Sequence, residues 1–184
     1  MGKSIFQKYA ARQVRKNQNK QRTKRFVNLK EAKSVHVLMA ANQLTPIETE
    51  QFYKQVYAVA DLFQNMPCKL YITVCVRKMP VESKRFGVEV FDFKQVKCLS
   101  KKPKQPVVLA FTEKKSDILI NLTPFVSYPI EHLAAMADAP LKVAVKLADR
   151  PFQYDLQLQV NDLEQDVCKN LKALLFYLEK IQSK

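Results

Sequence analysis

The sequence predicts an α/β protein with an open, mostly parallel, twisted sheet and helices on both faces, a Rossmann-like architecture, plus a basic N-terminal arm. Three observations lead to this prediction. The 184 residues, 47% of them hydrophobic, suffice for one core and an appendage. Apolar runs rich in β-branched residues alternate with segments of helical periodicity. Positive charge is concentrated at one end of the chain.

The charge distribution divides the chain into two parts. The first 30 residues contain ten of the 31 Lys and Arg residues and none of the 17 Asp and Glu residues, so +10 of the formal net charge of +14 lies there. The rest of the chain is only mildly basic. We therefore predict a basic arm at residues 1–25, helical in part or disordered, and a single α/β domain at residues 26–184.

The arm itself has two segments. Its first half has apolar residues near helical spacing with basic residues between them, which predicts a short amphipathic basic helix; the apolar positions are Ile5, Phe6, Tyr9, Ala10 and Val14. Residues 16–25 contain no apolar side chain that could offset the entropy of folding. We therefore expect this second segment to be a solvated linker in the isolated protein.

The first half of the domain predicts strand, helix and strand. Residues 35–40 are an apolar, β-rich run typical of a buried strand. Thr45 and Glu48 have the spacing of a capping box, and Pro46 suits the first helical position between them. The helix that follows places four apolar side chains on one face and ends at residues 65–67; they are Phe52, Val56, Val59 and Phe63. Residues 70–76 predict the next strand.

The middle of the domain is harder to assign. Residues 88–93 predict a third strand, and a lysine-rich loop at residues 97–104 follows it. Residues 107–111 fit either a strand or the start of a helix. Residues 117–122 predict a strand that Thr123 and the proline after it terminate.

The last part of the chain predicts a short helix at residues 130–137 and a strand at residues 141–147. Residues 152–160 alternate apolar and polar side chains, as a half-exposed edge strand does. Asn161 is placed to cap a final helix with a regular apolar stripe, formed by Val167, Leu171, Leu174, Leu178 and Ile181.

Several core-strand segments resemble a bacterial family of small basic proteins that has no assigned biochemical function. These segments are Phe26-Val-Asn-Leu, Ser34-Val-His-Val-Leu, Asp117-Ile-Leu-Ile-Asn-Leu, Leu141-Lys-Val-Ala-Val and Tyr154-Asp-Leu-Gln-Leu. The resemblance extends from about residue 26 to residue 181 and implies an α/β fold. The region around residues 117–145 is also similar to part of the N-terminal half of heptose-type glycosyltransferases, a fold-level likeness that implies no activity.

The sequence shows no catalytic signature, and we predict neither a metal nor a cofactor. The chain has only two glycines, Gly2 and Gly87, whereas phosphate loops and dinucleotide fingerprints need several between a strand and a helix. His36 lies within a predicted strand and His132 within a predicted short helix, each better explained as a structural residue than as a catalytic base or ligand. The sequence therefore favours a non-enzymatic role over an enzymatic one.

No feature of the sequence indicates a membrane span or a secretory signal. No apolar run approaches the roughly 18–20 residues that a span requires. The cysteines show neither a C-x-x-C pair nor metal-ligand spacing and are typical of reduced thiols; they are Cys68, Cys75, Cys98 and Cys168. We therefore predict a cytoplasmic protein, with a mitochondrial presequence as a minor alternative because the arm is basic and free of acidic residues.

The basic arm predicts contact with RNA, as a non-enzymatic RNA-binding or ribosome-associated protein. Clustered Lys and Arg displace the counterions condensed on a polyanion, which gives salt-dependent affinity. The predicted contacts are Lys8, Arg12, Arg15, Lys16, Lys20, Arg22, Lys24 and Arg25, extended by Lys101, Lys102 and Lys104 of the lysine-rich loop. Two alternatives stay open for the arm: a tail that only maintains solubility, and an anionic membrane surface into which Ile5, Phe6 and Tyr9 insert.

Two further hypotheses belong to other functional classes. If the sheet is parallel, its carboxyl edge forms a crevice where an enzyme could hold a phosphorylated or nucleotide-sugar ligand. The predicted anion-binding residues there are Asn42, Arg77, Lys78, Asn121 and Thr123. In the third hypothesis, the apolar stripe of the final helix binds a partner protein, although we expect that stripe to be buried against the sheet.

Overall fold

Six strands form one sheet in the computed structural model, which describes residues 4–18, 22–42, 45–77, 88–159 and 167–183. The strands are β1 (Ser34–Ala40), β2 (Lys69–Val76), β3 (Val88–Asp92), β4 (Ile118–Asn121), β5 (Leu141–Val145) and β6 (Leu156–Leu158). The described helices are α1 (Ile5–Lys16), α2 (Pro46–Leu62), α3 (Gln105–Thr112), α4 (Tyr128–Met136) and α5 (Val167–Lys180). None of these helices is both long and apolar enough to span a bilayer.

The strand order is β3-β2-β1-β4-β5-β6, and every pair of neighbours is parallel. β1 lies at the centre, where Val35 is in register with Leu70 of β2 and with Ile118 of β4. The chain builds the sheet outward in one direction through β3 and then returns to the other side of β1. The predicted α/β class, with an open sheet of Rossmann-like order, is therefore confirmed.

Helices cover both faces of this sheet. α2 and α5 pack on one face, with Val56 and Val59 of α2 against the central strands. The predicted stripe of α5 is buried in the same core, where Leu171, Leu174 and Leu178 have no exposed surface. These three residues are thus not free to bind a partner. α1, α3 and α4 cover the opposite face.

Two helices begin with the reciprocal hydrogen bonds of a capping box. The Thr45 hydroxyl accepts from the Glu48 backbone N–H at 3.2 Å, and the Glu48 carboxylate accepts from the Thr45 N–H at 2.9 Å, as predicted. Ser4 and Gln7 form the same arrangement at the start of α1. Each box provides partners for backbone N–H groups that the first helical turn leaves unpaired.

The structure decides one open assignment and corrects the extent of one predicted strand. Residues 107–111 lie within α3, where Pro106 occupies the first turn and Val108 and Phe111 turn toward the core. The predicted edge strand at residues 152–160 is only Leu156–Leu158. Phe152 and Tyr154 are instead buried before the strand begins, because both rings pack into the core beneath α4. The predicted cap Asn161 lies outside the described residues.

A lysine is fully buried where β5 meets α4. The Lys142 ammonium donates to the carbonyl oxygens of Ala134 and Ala135, at 2.7 and 3.4 Å, and lies 5.0 Å from the centre of the Phe152 ring. It thereby provides donors for carbonyls in the last turn of α4, where the helix dipole favours a cation. Burial, assisted by the charge of Arg22, lowers the pKa of Lys142 to about 7.

We predict that Lys142→Met removes a rise in stability with pH. The unfolded chain keeps the lysine proton up to about pH 10, whereas the folded protein loses it near pH 7, so the free energy of unfolding increases between these limits by up to about 1.4 kcal/mol per pH unit. Urea unfolding of both proteins at pH 7, 8 and 9 measures this. Parallel dependence on pH in the two proteins would contradict the prediction.

Candidate nucleic-acid interface

α1 packs on the sheet domain through one face. Ala10, Ala11 and Val14 are buried, and α1 contacts α4 along its length. The small side chains allow the two helices to approach closely, and Val14 joins the core formed by α4 and the strands beneath it. The helical half of the predicted arm is therefore part of the packed protein in this structure.

The packing leaves the basic residues of α1 on its outer face. Lys8, Arg12, Arg15 and Lys16 are all exposed. Arg15 makes one contact, a hydrogen bond from its Nε atom to the Pro151 carbonyl at 3.4 Å. Ile5 and Tyr9, also exposed, lie on the same side of the helix.

The lysine-rich loop at residues 97–104 is held in a defined turn. The Lys101 N–H donates to the Lys97 carbonyl at 2.9 Å, and the Lys97 N–H donates to the Lys102 carbonyl at 2.8 Å. Lys101 adopts a positive φ of 54°, in the left-handed region that favours glycine. Because the backbone is fixed, the lysine side chains project from constrained positions.

His132 of α4 anchors this loop to the body of the protein. Its Nε2 atom lies 2.9 Å from the Ser100 carbonyl oxygen, which only accepts, so Nε2 carries the proton. Burial lowers the pKa of His132, and the nearby charge of Lys102 lowers it further. Both effects favour the neutral ring, which donates to the loop from Nε2.

A direct contact joins the loop to α1. The Lys102 ammonium donates to the Asn17 side-chain oxygen at 3.4 Å, across 85 residues of sequence. Two basic segments thus lie side by side. We call them together the basic surface, formed by Lys8, Arg12, Arg15, Lys16, Lys101, Lys102 and Lys104.

Charges of the same sign are closely spaced on the basic surface. Lys8 and Arg12, and Arg12 and Lys16, are four residues apart on α1, and the first turn of that helix has no acidic residue. Such like-charged pairs destabilise a helix by a few tenths of a kcal/mol each, on the order of the gain from an opposite pair. Within the described residues, no ion pair joins these three side chains to a carboxylate. A bound polyanion would relieve the repulsion.

Arg22 does not belong to the basic surface, although the sequence analysis placed it in the solvated linker. Its guanidinium is buried and binds both carboxylate oxygens of Asp155, at 2.6 and 2.7 Å. It also donates to the carbonyls of Ala139 and Pro140, at 3.0 and 3.1 Å. The correction has a physical reason: the guanidinium neutralises the Asp155 carboxylate and donates to two carbonyls of the turn before β5.

The remaining predicted arm residues lie elsewhere. Lys24 is near the same carboxylate, with 3.7 Å between its Nζ atom and Asp155 Oδ1, and Arg25 is exposed beside it. Lys20 lies outside the described residues. Burial alone would raise the pKa of Asp155, but hydrogen bonds from Arg22 and from the Lys142 backbone N–H outweigh it and hold that pKa below its ordinary value.

The predicted crevice at the carboxyl edge is partly filled by an internal polar network. Asn121 is completely buried; its amide donates to Tyr154 Oη at 2.7 Å and to Glu131 Oε1 at 3.3 Å, and its oxygen accepts from the Thr123 N–H at 3.0 Å. The side-chain amide of Asn121 is therefore fully engaged within the protein rather than lining an open crevice. Asn42 and Arg77 are exposed, and Lys78 lies outside the described residues.

Arg150 completes this network. Its guanidinium pairs with Glu131 and donates to the carbonyls of Thr123 and Val145, at 2.8 and 3.1 Å. Burial raises the pKa of Glu131, whereas Arg150 and the Tyr154 hydroxyl favour the ionised form. The contacts tie α4 to the ends of β4 and β5, which is a structural role.

The other buried histidine is also a structural residue. The His36 Nε2 atom lies 2.8 Å from Thr73 Oγ1 on the neighbouring strand, and its ring packs 4.7 Å from that of Phe111. Burial, with the charge of Lys114, lowers its pKa to about 3. No group of three His, Cys, Asp or Glu side chains suited to a metal occurs in the described ranges of the chain.

Comparison with known proteins places the chain next to sequences without an assigned role. The sequence model of a family described as a family of unknown function, DUF6913, matches residues 3–181, which include α1. No curated protein matches the chain.

One similar solved structure is E. coli heptosyltransferase WaaC with ADP, at 15% sequence identity and a TM-score of 0.46. The similarity covers 80% of this chain and 48% of that protein, so the chain spans about half of its length. This likeness carries no argument about function.

We predict that Arg22→Met lowers the free energy of unfolding by about 2–4 kcal/mol, since it leaves the largely buried Asp155 carboxylate without its main partner. Arg12→Met removes the same charge from an exposed position and should change stability by less than about 0.5 kcal/mol. Urea unfolding at pH 7 compares the two. Equal stability of both variants would show that the pair contributes nothing.

We predict that His132→Leu loosens the lysine-rich loop, because the Ser100 carbonyl loses its donor. His132→Gln places an amide N–H near the same point and should preserve the loop. Hydrogen–deuterium exchange at residues 97–104 is the measurement, with faster exchange expected only in the leucine variant. Unchanged exchange in that variant would mean that the backbone turn holds the loop unaided.

Proposed function

We propose that this chain, which belongs to the DUF6913 family of unknown function, is a non-enzymatic RNA-binding protein whose basic surface contacts the phosphate backbone. The observation that supports the proposal is the contact of Lys102 with Asn17, which makes one surface from two basic segments. Structured RNA, such as that of the ribosome, is the proposed partner, because its regularly spaced phosphates match the regularly spaced Lys and Arg side chains. The predicted cytoplasmic location belongs to this proposal.

The shape of the surface suits a phosphate backbone. The cations of α1 recur at intervals of three and four residues, and the loop adds lysines beyond the end of the helix. Both segments are fixed, by burial of Ala10 and Val14 and by the anchor at His132. Pre-organised cations lose little entropy when they bind, so their contact with RNA releases counterions at a low ordering cost.

The same packing argues against an anionic membrane as the partner. An amphipathic helix binds lipid by inserting its apolar face. In α1 that face, at Ala10, Ala11 and Val14, is buried in the protein. Ile5, Phe6 and Tyr9 are exposed, but they occupy only the first half of the helix.

Among the residues that the structure describes, the contacts at the carboxyl edge do not favour the alternative of an enzyme that acts on a phosphorylated or nucleotide-sugar ligand there. Asn121, the predicted residue at the end of β4, has its side-chain amide engaged by Tyr154, Glu131 and the Thr123 N–H. The third hypothesis, a protein-interaction stripe on α5, has its leucines in the core.

We predict that Lys8→Gln, Arg12→Gln and Lys16→Gln together weaken RNA binding at least tenfold at low salt. The three charges account for about 2 units of the slope of log affinity against log salt if each contacts one phosphate of a single strand. Lys101→Gly with Lys104→Gln tests the loop, since glycine tolerates the positive φ at residue 101. Fluorescence anisotropy with a labelled RNA hairpin and with ribosomes, at rising salt, measures both.

The matched control is the triple variant Lys54→Gln, Lys172→Gln and Lys180→Gln, which removes the same charge from α2 and α5 on the opposite face. Point variants are preferable to deletion of residues 1–25, because deletion would also remove buried contacts of α1 and Arg22. Equal loss of RNA affinity in the control and test variants would show that only the net charge matters and would contradict the proposed surface. Loss of binding to phosphatidylserine vesicles without loss of RNA binding would overturn the proposal in favour of a membrane.

A further inference from the structure

We propose that a cavity at the amino edge of the sheet binds a nucleotide, with the base stacked on Phe26 and the phosphate held by Lys24 and Arg25. The cavity has a volume of about 400 Å³ and is also lined by Leu141, at the start of β5, and by Gln153. It shares no residue with the basic surface, so the inference goes beyond the proposed function. The nucleotide is either free or part of an RNA, since both provide the same base and phosphate.

The segment that forms one wall of this cavity is fixed in place. Arg22 is bound to Asp155, and the Arg25 backbone N–H donates to the Pro140 carbonyl at 3.3 Å. Val27 is buried in the core immediately afterward. The residues between these anchors, Lys24 to Phe26 inclusive, therefore cross the edge of the sheet in a defined path with their side chains outward.

The polar groups that remain available in the cavity are mainly cationic. Both oxygens of the Asp155 carboxylate are bound by Arg22, and the Tyr154 hydroxyl is engaged in the network below. The Lys24 side chain is 65% exposed, with its Nζ atom 3.7 Å from Asp155 Oδ1, and the exposed Arg25 guanidinium has no side-chain partner within the described part of the chain. With its carboxylate neutralised, the cavity attracts an anion.

The aromatic wall distinguishes a nucleotide from a simple anion. Phe26 is 45% exposed although its neighbour Val27 is in the core, so its ring offers a face to the solvent. Phe26 and Arg25 also border a second cavity of about 290 Å³. The two cavities leave space beside the Phe26 ring in which a base could stack. Proteins commonly bind unpaired nucleotides by stacking their bases on aromatic side chains. The volume of the first cavity falls within the roughly 300–1,000 Å³ of small-ligand sites.

The chain contains no tryptophan, so the variant Phe26→Trp keeps an aromatic wall and supplies a single fluorescent reporter. We expect AMP to quench its emission with saturation and adenosine to bind at least tenfold more weakly, because adenosine lacks the phosphate. Phe176→Trp, on the exposed side of α5, is the matched control and should not respond. Absence of a saturable response to millimolar AMP and to hexa-adenylate would overturn the proposal.

Isothermal titration of the full chain with AMP tests each role. Phe26→Leu, which removes the ring but keeps apolar bulk, and the pair Lys24→Gln with Arg25→Gln should each weaken binding about tenfold or more, while Lys30→Gln changes nothing. Normal AMP binding by the first two variants would sink the assignment. Tighter binding of hexa-adenylate than of AMP identifies RNA as the source of the nucleotide, and the reverse identifies a free nucleotide.

The two proposals fail independently. The variant of α1 that lacks Lys8, Arg12 and Lys16 should bind AMP as the unmodified chain does. If AMP binding disappears in that variant as well, the cavity is not a separate site and the inference is wrong. If AMP does not bind but hairpin RNA still requires the basic surface, only the cavity assignment fails.

Discussion

Asp155 receives hydrogen bonds from two distant parts of the chain, the Arg22 guanidinium and the backbone N–H of Lys142. This carboxylate fixes the part of the N-terminal segment around Arg22 against the turn between α4 and β5. The segment after Arg22 lines the amino-edge cavity. Since a largely buried carboxylate without partners is costly, the pair constrains where the charge of Arg22 lies.

The positive charge of the N-terminal region is therefore divided between structural and exposed roles. Arg22 is neutralised inside the protein, whereas Lys8, Arg12 and Lys16 face the solvent from a helix whose other side is buried. A flexible basic tail would bind polyanions of any shape. Here packing and one ion pair arrange the cations at fixed positions, which favours partners of matching shape.

The two edges of the sheet also differ in whether their polar side chains are engaged within the protein or exposed. Parallel α/β sheets usually bind ligands at the carboxyl edge. In this protein the central part of that edge carries a network in which Asn121, Glu131, Arg150 and Tyr154 engage one another. Two cavities bordered by exposed aromatic and basic side chains lie at the amino edge.

The sequence by itself determined the α/β class, the positions of the first five strands and the capped start of α2, because these depend on local periodicity and on hydrogen bonds between near neighbours. It also identified the basic residues. Only the tertiary structure decided which of them act together. Arg22 and Lys102 look alike in sequence, yet one is buried against Asp155 and the other reaches Asn17. Those pairings join residues 133 and 85 positions apart, and no local pattern encodes such a contact.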